Sequence, residues 1–130
     1  MTDSIIGLDI GGTKCAVVEG TFDGGILARE VCPTRAERGW QETFDSLCAA
    51  VGTQLRVARA SGRQVVALSV SIGGPLDTER GIIYSPPNLP GWDAVPLKDL
   101  LTARFGVPAY VQHDGAAGAL AEWWYGAGQG

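Results

Sequence analysis

The chain has 130 residues, enough for one domain with a real core and too few for two full ones. Its 45% apolar content excludes a disordered tail, and a net charge of −4 argues against a surface built for nucleic acid or anionic membrane. Three cysteines, Cys15, Cys32 and Cys48, form no C-x-x-C pair and fall within apolar patterns, as small buried hydrophobes do in a reducing cytoplasm.

The opening stretch, residues 5–18, reads as an apolar strand, a tight turn and a second apolar strand. The turn holds Asp9, Gly11, Gly12, Thr13 and Lys14. Adjacent glycines let backbone N–H groups wrap closely around an anion, and Asp9 beside them is useful chiefly where a divalent cation is also held. That chemistry suits a Mg-nucleotide phosphate, and an ordinary Gly-Gly hairpin is the plain alternative. Neither a Walker A loop nor a dinucleotide-binding glycine fingerprint is present.

A second glycine turn leads into a third strand over residues 26–32, which Pro33 is expected to stop. Trp40, Phe44, Leu47, Cys48, Val51, Leu55 and Ala58 then recur at helical spacing, predicting an amphipathic helix over residues 39–60 with Gly62 just past its end. Residues 64–72 form a nearly continuous apolar run, expected to be a strand buried on both faces and parallel to the first. Residues 73–95 read as one long irregular segment, with a short hairpin arm at 81–84. A helix from Pro96 to Phe105, a fifth strand over 109–113 and a last helix over 115–125 complete the chain, and residues 126–130 read as a glycine-rich hinge.

The order β-β-β-α-β-α-β-α with a five-stranded mixed sheet describes an α/β fold, the ribonuclease-H-like or actin-like ATPase half-domain. Asp9, Asp77 and Asp114 then fall at or beyond strand ends, along the sheet edge where such folds bind ligands. Each acid also has a plainer reading, Asp77 as a turn residue and Asp114 as a helix N-cap. His113 has no second metal ligand nearby in sequence, so it reads either as a substrate contact or as a core hydrogen bond. Trp123, Trp124 and Tyr125 are consecutive and cannot all enter one core, which suggests contact with another lobe or a second copy in a homo-oligomer.

Four segments, taken together, resemble the N-terminal lobe of the ROK family of bacterial sugar kinases, glucokinase-like enzymes and sugar-responsive repressors. They are Asp9-Ile10-Gly11-Gly12-Thr13-Lys14, then residues 71–77 around Gly73-Gly74-Pro75, then Ser85-Pro86-Pro87-Asn88-Leu89-Pro90-Gly91-Trp92, then residues 113–122 beginning His113-Asp114. The resemblance implies ATP-dependent phosphorylation of a hexose-type sugar in the cytoplasm. By it, Asp9 through Lys14 would hold the ATP phosphates with Asp9 near Mg2+. Gly73, Gly74, Asn88 and His113 would contact the sugar, and Asp114 would be the general base. His113 and Ala116 depart from the family pattern, which places Asn at both positions.

By the same resemblance, residues 1–130 are one lobe ending at the hinge, with the adenosine-binding C-terminal lobe absent, so the fragment alone is expected to be inactive. A repressor of this family would carry a helix-turn-helix ahead of the first strand, and eight residues precede Asp9. A metal-dependent nuclease using Asp9, Asp77 and Asp114 is a further alternative, disfavoured by the acidic charge.

Overall fold

The computed structural model describes residues 2–23, 25–34, 39–72, 76–77, 80–84 and 93–113, with positions 76, 77, 84, 93, 94, 112 and 113 described as backbone only. The main sheet has five strands in the order β3-β2-β1-β4-β8. These are β1 (Thr2–Ile10), β2 (Lys14–Thr21), β3 (Ile26–Pro33), β4 (Arg63–Ile72) and β8 (Ala109–His113). β1 to β3 form an antiparallel meander, whereas β4 and β8 run parallel to β1 and β4 respectively. The expected half-domain order is present through the fifth strand of this sheet; the predicted helix at 115–125 lies outside the described residues.

The alternation that identified these strands decides which face is dry. Ile6, Leu8 and Ile10 of β1 share one face with Val17 of β2 and with Leu68, Val70 and Ile72 of β4, and all are buried. Against them pack Phe44, Leu47, Cys48, Val51 and Leu55 of α1 (Trp40–Ala60), the apolar stripe read from the 3.6-residue period. Helix α1 ends as its sequence indicates, with Gly62 at φ 77 after the Ser61 cap. Helix α2 (Leu97–Phe105) adds Leu97 and Leu101 to the same core and stops at Gly106, which is left-handed.

The crossovers β3-α1-β4 and β4-α2-β8 step across the sheet in the same direction. Right-handed connections therefore put both helices on one face. This corrects the expectation that β4 is buried on both sides. Ala67 is buried on the second face, while Ser69 and Ser71 are half-buried and Tyr110 of β8 is exposed.

Two further expectations change. Residues 73–95 are not uniformly irregular: β5 (Leu76–Asp77), β6 (Ile82–Tyr84) and β7 (Asp93–Pro96) make a small antiparallel sheet that sends Ile83 and Val95 into the main core. Strand β3 does end at Pro33, but one residue later than expected, since Pro33 itself pairs with Lys14; β3 is an edge strand, and an edge tolerates the missing N–H.

The cysteines behave as buried thiols. Cys15 and Cys32 face each other across β2 and β3, and all three are free. Burial pushes Cys15 and Cys32 above the ordinary thiol value and Cys48 to about 11. At pH 8 the folded chain should therefore give up only the half-buried Cys32 to an aromatic disulfide reagent, with Cys15 and Cys48 following on addition of urea. Three equally fast thiols in the time course would contradict this packing.

Candidate active site

The C-terminal ends of β1, β4 and β8 lie side by side, with Ile10 opposite Ile72 and Ile72 opposite His113. The edge predicted from sequence is therefore one edge of one sheet, as ligand sites in open α/β sheets require. Asp9 reaches it from β1, with its Cα partnered by Ala16 on β2 and Ser71 on β4. Odd-numbered β1 residues face away from α1, so Asp9 lies on the less covered face and is exposed.

Between β1 and β2 the chain reverses at residues 11–13. The Gly11 N–H donates to the Lys14 carbonyl at 3.1 Å, closing the turn on itself. A Cβ at Gly11 would stand 2.9 Å from that same oxygen, so this position has no room for a side chain unless the backbone moves. Since the Gly11 amide is spent inside the turn, the remaining donors are the amides of Gly12 and Thr13, the Thr13 hydroxyl and the Lys14 ammonium. Thr13 and Lys14 are exposed. Beside the turn opens a cleft of about 320 Å3, lined by residues 9 and 11–16 together with Arg29 and Val31 of β3. Asp9, Gly11, Gly12, Thr13 and Lys14, grouped from sequence, are grouped in space.

Among the described residues no cluster of three His, Cys, Asp or Glu side chains is placed to hold a metal. An exposed carboxylate beside backbone amides that could receive an anion fits Mg2+, which keeps several waters and takes one or two carboxylates plus phosphate oxygens. Asp77, the last residue of β5, pairs with Ile82 of β6 in the small sheet, so it is a strand residue rather than the expected turn residue. His113 closes β8, and its side chain is outside the described residues, as are Gly73, Gly74, Asn88 and Asp114. The residues 126–130 read as a hinge and the aromatic triplet 123–125 are likewise outside them.

Two features escaped sequence reading. Thr34, just after β3, is wholly buried and hydrogen-bonded to both ends of the glycine turn. Its only sequence signal is a hydroxyl residue following the proline that ends the strand. Arg29 lines the cleft from β3, and an alternating strand sequence alone does not say which arginine faces a turn two strands away.

The profile of the ROK family matches residues 5–130, and the chain belongs to that family. It is 33% identical over 126 residues to a glucokinase of Thermotoga maritima, covering 97% of this chain and 38% of that enzyme. The structure of a ROK family glucokinase from Streptomyces griseus, in complex with glucose and AMPPNP, superposes with a TM-score of 0.77 at 35% identity, over 98% of this chain and 38% of the other. A putative xylose repressor from a Caldicellulosiruptor species is 28% identical over 122 residues, covering 94% of this chain and 30% of the repressor. The chain thus spans less than two fifths of the length of each of these three proteins. The fold is that of the ROK sugar kinases, an α/β actin-like ATPase half-domain with a five-stranded mixed sheet. No helix among the described residues is long and apolar enough to cross a membrane.

Proposed function

We propose that this chain is the N-terminal lobe of an ATP-dependent hexose kinase of the glucokinase type, completed by a C-terminal lobe beyond a hinge at 126–130. The observation that carries the reading is the closed Gly11–Lys14 turn at the sheet edge, with Asp9 beside it and an open cleft in front. Identity of 33% to 35% with glucokinases supports it.

In this reading the amides of Gly12 and Thr13, the Thr13 hydroxyl and the Lys14 ammonium cradle the ATP phosphates. Asp9 would hold Mg2+, which when bound would supply charge neutralisation for the transferring group. Gly73, Gly74, Asn88 and His113 bind and orient the sugar. Asp114 accepts the proton of the attacking hydroxyl. In-line phosphoryl transfer asks little more of a protein than positioning, charge neutralisation and one well-placed carboxylate. Exclusion of water requires a second lobe to close on the first, so the 130-residue chain alone should not turn over.

The assay is transfer from Mg-ATP to glucose and a hexose panel, by the two-lobed polypeptide and by the purified chain. Turnover by the former and none by the latter is expected. A two-lobed protein that phosphorylates no hexose would sink the kinase reading, and turnover by the chain alone would sink the requirement for a second lobe. The resemblance to a xylose repressor favours a second reading, a sugar-responsive regulator. Sugar-dependent release of DNA without phosphorylation would be its signature.

A further inference from the structure

Thr34 spends its N–H and its hydroxyl on the glycine turn and its carbonyl on α1. Its N–H donates to the Thr13 carbonyl at 3.0 Å, and its hydroxyl donates to the Gly11 carbonyl at 2.7 Å. A threonine hydroxyl has one proton to give. The Cys15 thiol, 3.2 Å from the same oxygen, is therefore the donor in that contact. The Thr34 carbonyl in turn accepts from the Thr43 hydroxyl on α1. Both threonines are buried, so water competes little for their side of these bonds.

A turn of three residues between two strands is normally held only at its ends. Here a residue from the third strand's exit fastens its first and last carbonyls, and α1 fastens that residue. Gly11, Thr13 and the core helix are joined through one side chain.

We propose that Thr34 is a positioning residue for nucleotide phosphate, setting the turn so that the amides at 12 and 13 and Lys14 converge on one anion, with Thr43 as its anchor on α1. The proposal rests on the kinase reading. Thr34 touches no substrate; it acts through Gly11 and Thr13.

The test compares Thr34→Val, which keeps the shape and loses the hydroxyl, with Thr34→Ser, which keeps the hydroxyl. In the two-lobed protein, Thr34→Val should raise the KM for Mg-ATP about tenfold, the value of one well-made hydrogen bond, and leave the KM for sugar within about twofold. Thr34→Ser should bring the Mg-ATP KM back to within about threefold of wild type. A purely structural threonine would lower the melting temperature without separating the two KM values, and that result overturns the proposal.

Amide exchange on the wild-type chain gives a second measurement that needs no variant to fold. The Gly11 and Thr34 amides should exchange at least about 100-fold more slowly than the Gly12 amide. Equal rates would show that the clamp does not hold in solution. An inactive wild-type two-lobed protein would fail the kinase reading instead, and the exchange data would still decide whether Thr34 fixes the turn.

Discussion

Replacing Arg63 with methionine is expected to destabilise the chain clearly at neutral pH, and its deficit against wild type should shrink as pH falls towards 4. The reason is Glu19, whose side chain is 0% exposed on the α1 face of β2, opposite Ile6. Burial pushes its carboxyl up. The Arg63 guanidinium, bonded at 2.9 and 3.0 Å, and the Ser4 hydroxyl, at 2.8 Å, more than offset this and hold it below the usual carboxylate value.

A carboxyl lowered by folding contributes stability that is complete above its unfolded value and fades as pH falls through the folded one. With methionine at 63, burial dominates and the carboxyl moves up instead. The variant should then gain stability relative to wild type as acid neutralises Glu19. Urea melts of both chains between pH 4 and pH 8 would check it. Parallel curves would mean that water reaches Glu19 and that the pair contributes little. Glu19→Leu combined with Arg63→Met should recover most of the loss, since a buried ion pair can be replaced by apolar groups of similar size.

That pair also shows where sequence reading stops. The long strands were legible because side chains alternate, and helix α1 because its stripe recurs over 21 residues with a glycine after its cap. The ligand edge followed, since parallel strands align their ends. The Glu19–Arg63 contact depends on a register shift between β1 and β4: Ser4 pairs with Val65 but Ile5 pairs with Ala67, so Val66 is the extra residue. One extra residue reverses the parity of everything before it. Arg63 is thereby turned to the α1 face beside Glu19, whereas unbroken alternation from Leu68 would put it on the other side.

Of the small sheet only the arm expected at 81–84, which is β6, was legible; β5 and β7 were hidden for a different reason. At two to four residues each, they are too short to show alternation, and the prolines between them imitate a plain loop. Thr34 was hidden because its partners, Gly11 and Thr13, are more than twenty residues away and are backbone atoms, which leave no trace in side-chain pattern. Strand β4 reads as apolar throughout, yet its second face is half-open, because hydropathy does not record which side of a sheet its crossovers take.

Gly11→Ala is expected to lower kcat/KM for Mg-ATP about 100-fold in the two-lobed protein while leaving the sugar KM nearly unchanged. The added methyl would lie 2.9 Å from the Lys14 carbonyl oxygen, the acceptor of the Gly11 amide itself. The obstruction is backbone, so no side chain can rotate away. The turn must open by several tenths of an ångström, and two other bonds resist that movement: the Thr34 hydroxyl on the Gly11 carbonyl and the Thr34 amide on the Thr13 carbonyl. Either the Gly11–Lys14 bond lengthens or the Thr34 clamp does, and both displace the amides at 12 and 13 relative to Lys14.

Phosphoryl transfer depends on placing donors around a small anion, so a shift of this size costs rate rather than only affinity. Ordinary loss of stability would act on both substrates alike, so the split between them separates the two causes. Adding Thr34→Val to Gly11→Ala should cost less than the sum of the single effects, because the first change frees the turn to relax around the methyl. Strict additivity would mean that the turn and Thr34 move independently, whatever their hydrogen bonds.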